Sequence, residues 1–332
     1  MADNDKKPGA SPALVHSEEV LERFTKASDR VTMGRKTYGL SDRAFMFFFL
    51  LPSLFILLFL VGYPFITLIR SGFYNFSVLR AATPAKFIGV GNFTFILTDP
   101  FTWERFIFTG KFVILNVLVQ FLLGVGIAYL LQKNFKGRSV VLTLILMPMM
   151  LCPIVVGLFW KYMFNTEWGI VNYILSIFGI GKVEWLAREN ISVYSVIIVD
   201  TWMWTPFMIL LALAAFTAIP KYLYEAAEID RASSWFKFRH ITLPLSAPVL
   251  IIAVLFRMID SIKAFDLIYT LTGGGPGSAT QTLSFDLYKR AFQYFYTGEA
   301  SAYGVILLLV IMSLSLIFIR YLNRLAAQNV RR

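Results

Sequence analysis

The sequence contains few of the residues on which metal and redox sites are commonly built. Its 332 residues include one cysteine, Cys152, and two histidines, His16 and His240. A single cysteine excludes a disulfide framework or a thiolate metal cluster within the chain. An isolated histidine is more often a surface or packing residue than a ligand. We therefore expect no metal on this chain.

Motifs for nucleotide binding and hydrolysis are missing as well. Gly110-Lys111 is followed by Phe112, where a phosphate-binding loop needs serine or threonine. The chain also has no HExxH, CxxC or GxSxG pattern. The sequence predicts a non-catalytic protein without a cofactor of its own, which argues against a polytopic membrane enzyme.

Charge is scarce, whereas apolar residues are abundant. Charged residues make up 15% of the chain and hydrophobic residues 57%, with 32 phenylalanines. The apolar residues form six runs, each long enough to cross a bilayer as a helix. The sequence therefore predicts an all-α membrane protein with six transmembrane helices, at about 44–69, 109–131, 140–160, 191–216, 248–271 and 301–321.

The net charge of +11 follows from membrane topology better than from nucleic-acid binding. Lysine and arginine accumulate on cytoplasmic loops. When both termini are placed in the cytoplasm, most lysines and arginines of this chain fall on the cytoplasmic side. The first forty residues are polar and predict a solvated tail instead of a cleavable signal peptide. We expect a cytoplasmic tail (1–43), a transmembrane domain (44–322) and a basic cytoplasmic tail (323–332).

The connections on the other side of the membrane are aromatic and contain glycine. Residues 70–108 and 161–190 predict short interfacial helices and turns. The run Gly273–Gly277 cannot be helical, so we expect the chain to turn outside the membrane there.

A charged segment, "EAAEIDRASSWFKFRHITLPL", lies between the fourth and fifth apolar runs. As a helix it would carry small residues such as Ala226 on one face and an aromatic stripe including Trp235 further on. Pro244 is expected to end the helix before the next membrane span. Its periodicity alone fits an amphipathic loop helix on the membrane surface.

This string resembles the coupling loop of ABC importer permeases, which we place at 220–245. The family pattern has glycine where this chain has Arg231, a departure that predicts either right-handed backbone at the turn or a contact of the arginine with a partner. The resemblance implies seven candidate ATPase-coupling residues, to which we add Arg231. The implied residues are Glu225, Ala226, Ala227, Asp230, Ile241, Leu243 and Pro244.

A second set of motifs is similar to the carbohydrate subclass of these permeases. It comprises "FIGVGNF" at 87–93, "DTWMWTPF" at 200–207 and an ordered series from Phe265 to Ala302 that includes Gly274-Gly275-Pro276. The resemblance covers about 44–322 and implies the six-helix permease fold.

The resemblance also implies partners and a location. The chain would form the path for a sugar, polyol or glycoside in the cytoplasmic membrane of a bacterium or archaeon. It would act with a second homologous permease, a solute-binding protein outside the membrane, and an ATPase dimer that holds ATP and magnesium. Lipid would surround it, and nucleic acid would not be a partner.

Ionisable residues inside the apolar runs are the remaining candidates for function. Asp200 lies in the fourth run, and Arg257, Asp260 and Lys263 follow at steps of three in the fifth. They either pair for structural reasons or line the substrate path, together with Thr201 and Trp204.

A different class of transporter is the main alternative. In a self-sufficient secondary transporter or channel, Asp200, Arg257 and Asp260 would relay ions or protons. The sequence contains no repeated pair of broken helices, which weakens this alternative.

Overall fold

The computed structural model of the chain describes residues 42–80 and 84–330, and that part is mostly helical. The predicted cytoplasmic tail 1–43 therefore lies almost wholly outside the described residues. The chain divides into two compact units between Phe65 and Ile66.

The described part of the first unit is an apolar helix. Helix α1 (Asp42–Leu57) is followed by a π-helical turn (Leu58–Gly62), after which α2 (Tyr63–Gly72) begins. The Phe48 and Phe55 side chains of α1 are exposed. Exposed apolar side chains are suited to a helix that is surrounded by lipid.

The second unit continues with the predicted interfacial elements. Strands β1 (Tyr74–Asn75) and β2 (Lys86–Phe87) pair antiparallel, an arrangement that the sequence did not predict. Helix α3 (Gly91–Thr98) follows, and α4 (Pro100–Leu131) begins directly after it. The carboxylate of Asp99 accepts a hydrogen bond from the Phe101 N–H at 3.2 Å and so caps α4.

The third apolar run is a pair of helices with a sharp bend between them, not the single helix expected at 140–160. Helix α5 (Arg138–Leu146) passes through a 3₁₀ turn (Met147–Met150), and α6 (Pro153–Met163) leaves at 98° to it. Cys152 is extended because the residue before a proline is disfavoured in the helical region.

The fifth span begins and ends earlier than predicted. A helix runs from Ser234 to Ile262, and Lys263 closes it. The remaining helices of the described chain are α7 (Ile170–Ile177), α8 (Glu189–Thr217), α9 (Lys221–Ile229), α10 (Ser234–Lys237), α11 (Leu243–Ile262), α12 (Asp266–Leu271), α13 (Leu283–Tyr288) and α14 (Thr297–Val330).

Helices α4 and α8 form the most extensive contact of the second unit, and α11 packs against both. Gly124 of α4 lies where an added Cβ atom would be 2.4 Å from Met208 Cβ. The missing side chain lets the two backbones approach closely.

Within the described residues, five helices are long and apolar enough to cross a membrane, or six if the bent α5–α6 pair counts as one span. The predicted helical membrane architecture is therefore confirmed. The glycine turn is confirmed as well, since Gly273, Gly274 and Gly277 all have positive φ.

Candidate coupling segment and membrane path

The charged segment between the fourth and fifth spans folds as two short helices joined by a turn. Helix α9 follows Pro220 and turns one side toward the protein, because Ala227 is its buried residue. Glu225 and Ala226 are exposed, and Ile229 is 84% exposed. The surface of α9 that is open to a partner therefore has the carboxylates of Glu225 and Glu228 and the bare aliphatic side chain of Ile229.

The turn at the end of α9 contradicts the expected right-handed backbone at Arg231. Its φ is +54°, in the left-handed region. The Ala232 N–H donates to the Ala227 carbonyl at 2.8 Å, and the Arg231 N–H donates to the Glu228 carbonyl at 3.0 Å. These are the two bonds of a Schellman motif, which requires a left-handed residue at this position. They hold arginine in a conformation that costs a non-glycine residue about 1–2 kcal/mol.

The second half of the segment is tied to the first and to the transmembrane helices. Ser233 caps α10 by accepting from the Phe236 N–H at 3.2 Å. Lys237 pairs with Glu228 across the turn at 2.9 Å. The Tyr129 hydroxyl of α4 donates to the Ser234 carbonyl at 3.3 Å. The segment is thus braced against α4.

Pro244 does not end a helix, and that prediction is wrong. It lies in the first turn of α11, directly after a π-helical turn (Phe238–Thr242) that contains Ile241, and the chain stays helical from Ser234 to Ile262. In the π turn the Leu243 N–H donates to the Phe238 carbonyl. A π turn pairs each N–H with the carbonyl five residues earlier instead of four. This change occurs directly before Pro244, which has no backbone N–H to donate.

Four buried or half-buried polar side chains meet inside the membrane region. Arg257 of α11 pairs with Asp200 of α8 through Nη2 and with Asp260 through Nη1 at 2.7 Å. Its Nε donates to Gln120 Oε1 of α4 at 2.7 Å, and Gln120 Nε2 donates to Asp200 Oδ2 at 2.9 Å. Arg257 and Asp200 are almost fully buried, whereas 48% of the Asp260 side chain is exposed. The arginine therefore joins α4, α8 and α11 and orients an accessible carboxylate.

Asp260 opens into a cavity of about 300 Å³ together with Lys263, Trp204 and Phe207. The Arg257 guanidinium lies 5.1 Å from the centre of the Trp204 ring. An aromatic face beside a carboxylate and a cation offers both apolar contact and hydrogen bonds to a small polar solute.

Thr201 is separate from the other candidate path residues. Its hydroxyl faces Asn116 Oδ1 at 3.4 Å, and it lines a second, apolar cavity of about 590 Å³ beside Trp202. The structure therefore brings together Asp200, Trp204, Arg257, Asp260 and Lys263.

Gln120 is a member of this cluster that sequence reasoning missed. It lies in an apolar run with Asn116 four residues before it, so both amides share a helix face. That spacing was the available signal, because polar side chains in a transmembrane helix usually face a partner.

A second ion cluster, also missed, lies near the start of α4. Arg290 donates to Asp286 at 3.0 Å and to Asp99 at 2.9 Å. Burial raises the pKa of Asp99, but hydrogen bonds from Thr102 and Arg290 outweigh it and hold the pKa below its usual value. The cluster fastens α13 and the π-helical turn that follows it (Lys289–Gln293) to the first turn of α4.

Residues 120–332 match the family described as the binding-protein-dependent transport system inner membrane component. The chain is a member of this permease family. The match includes the charged segment and the Asp200–Arg257 cluster. Membership confirms the predicted importer permease and opposes the self-sufficient transporter, because the family works with a binding protein.

Several relatives match most of this permease. A trehalose/maltose transport system permease of Thermococcus litoralis is 38% identical over 77% of this chain and 88% of its own. A sulfoquinovosyl glycerol transport system permease of Agrobacterium fabrum is 31% identical over 92% and 96%. A chain of a bacterial alginate importer superposes with a TM-score of 0.75 at 23% identity, over 84% and 95%, which shows a shared fold.

Proposed function

We propose that this permease forms the membrane path for a carbohydrate in an ATP-driven importer. The observation that carries the proposal is the half-exposed Asp260, oriented by buried Arg257 in a cavity beside Trp204. A carboxylate accepts hydrogen bonds from sugar hydroxyls, and a ring face packs against the C–H groups of a sugar. Relatives named for trehalose, maltose and sulfoquinovosyl glycerol support this substrate class.

Asp200 has a different role in this proposal from Asp260. It is buried against Arg257 and Gln120, so it neutralises the arginine and holds it in place. Lys263 and Trp204 complete the cavity, while Thr201 packs elsewhere. Asp260, Lys263 and Trp204 are therefore the groups that we assign to the solute.

The 220–245 segment transmits the ATPase motion to this path. Closure of an ATPase dimer carrying ATP and magnesium would displace the exposed side of α9, which includes Glu225, and Asp230 directly after the helix. Bracing through Tyr129 and the continuous helix Ser234–Ile262 supports transfer of that displacement to Arg257 and Asp260. The chain itself hydrolyses nothing.

The complete importer would hold this permease, a second homologous permease, two ATPase subunits and an extracytoplasmic solute-binding protein. We place it in the cytoplasmic membrane of a bacterium or archaeon, with both termini cytoplasmic. ATP binding would open the path toward the loaded binding protein, and hydrolysis would return it to the inward-facing state.

Reconstitution in proteoliposomes tests the proposal. With its partner permease, ATPase subunits and binding protein, the permease should import labelled maltose or trehalose only when ATP is enclosed. Transport that continues without the ATPase subunits would overturn the proposal.

The path assignment is tested by Asp260→Asn, which should reduce uptake by about tenfold, a loss equivalent to about 1.4 kcal/mol. Glu184→Gln is the matched control, because Glu184 is also a half-exposed carboxylate paired with an arginine, Arg188, at 2.9 Å. Equal uptake by the two variants would remove Asp260 from the path.

A further inference from the structure

The turn between α9 and α10 places an arginine in a backbone conformation that suits glycine. In the described chain, Arg231 and Phe295 are the two residues other than glycine with clearly positive φ. Replacing Arg231 by glycine would remove the backbone strain, since glycine adopts this φ without strain. Backbone strain that persists points to a use for the side chain.

No contact within the described residues accounts for the arginine. The Arg231 side chain is exposed, and it forms no hydrogen bond or ion pair with residues 42–80 or 84–330. The nearby acid Glu228 is already paired with Lys237. Among the described residues the guanidinium is therefore an unpaired cation at the tip of the segment, on a turn closed by two backbone hydrogen bonds.

The surroundings of Arg231 have the composition of a protein-binding surface. Ile229, two residues earlier, is 84% exposed, and Trp235, four residues later, is 66% exposed. Apolar anchors beside an arginine are typical of the central part of an interface.

We propose that Arg231 binds a carboxylate of the ATPase subunit when Ile229 enters the same contact. This inference rests on the proposed coupling function of the segment. A guanidinium forms two parallel hydrogen bonds to a carboxylate, so it transmits both a push and a pull in a fixed direction. Lysine would keep the charge but lose that directional pair.

Three variants separate the charge of Arg231 from its backbone strain. Arg231→Gly removes both, Arg231→Ala removes the charge and keeps the strained turn, and Arg231→Lys keeps the charge without the paired geometry. Lys221→Ala is the control, since Lys221 is an exposed cation of the same segment with no ion pair among the described residues.

The measurements are the dissociation constant of the purified ATPase subunit from the permease pair and the thermal midpoint of the pair alone. We expect Arg231→Gly and Arg231→Ala to weaken association at least tenfold and to reduce its salt dependence, with Arg231→Lys intermediate and Lys221→Ala unchanged. Arg231→Gly should also raise the thermal midpoint, so that stability and assembly change in opposite directions.

Two results would overturn the assignment of Arg231. The first is an Arg231→Gly variant that binds the ATPase subunit as tightly as the wild type. The second is an Arg231→Gly variant that binds weakly while Arg231→Ala binds as the wild type does, because the effect would then come from the backbone. Failure of the unaltered permease pair to bind the ATPase would instead overturn the proposed function. The two failures are thus distinguishable.

Discussion

Arg257 has an environment that strongly restricts substitution. It lies in the membrane region with 2% of its side chain exposed, and its guanidinium is paired with both Asp200 and Asp260. A buried charge with one partner removed costs more free energy than the intact pair contributes. The pair should therefore be tested by removing one partner and then both.

Arg257→Met is expected to lower the free energy of unfolding by about 3–5 kcal/mol, because Asp200 is then buried without a counter-charge. The measurement is the thermal or denaturant midpoint of the purified permease pair in detergent micelles. The double variant Asp200→Asn with Arg257→Met should recover most of the loss. A single variant as stable as the unaltered protein would contradict a structural role for the pair.

At the scale of the helices, the α4–α8 contact depends on one missing side chain. Gly124→Ala would place a Cβ atom 2.4 Å from Met208 Cβ and force α4 away from α8. We expect a destabilisation of about 1–3 kcal/mol, measured as a fall in the thermal midpoint of the permease pair.

Gly126 supplies the matched control on the same helix. An added Cβ atom there has no neighbour within 4 Å, so Gly126→Ala should be neutral or stabilising by about 0.5–1 kcal/mol. Equal effects of the two substitutions would show that helix propensity, and not close packing, determines the result.

At the scale of the whole molecule, the distribution of basic residues predicts the orientation in the membrane, with both termini cytoplasmic. The exposed Cys152 is the one cysteine of the chain and is first replaced by alanine. A cysteine introduced by Ser278→Cys, directly after the glycine turn, should then react with an impermeant maleimide on intact spheroplasts. Asn134→Cys, beside Lys133 and Lys136, should react only after permeabilisation, and the reverse pattern would invert the topology.

Much of the architecture was predictable because the bilayer imposes a simple rule on the sequence. Runs of apolar residues about 20 long must form helices that satisfy their own backbone groups. The same rule predicted the approximate positions of the six spans. The Gly273–Gly277 turn was predictable because glycine disfavours a helix and adopts the positive φ that a turn needs. Asp200 and Arg257 were recognisable as candidates since charge in such a run is expensive.

The sequence by itself thus determined the helical membrane class, the approximate span positions and the family, because these depend on composition and local spacing. Only the tertiary structure decided that Gln120 completes the Arg257 network, that Pro244 continues a helix after a π turn, and that Arg231 adopts a left-handed conformation. Each of these three features depends on hydrogen bonds, which at Arg231 outweigh the local backbone preference of the residue. A sequence pattern shows the preference but not the hydrogen bonds. Partners far apart in the chain, such as Gln120 and Arg257, meet only when the helices pack.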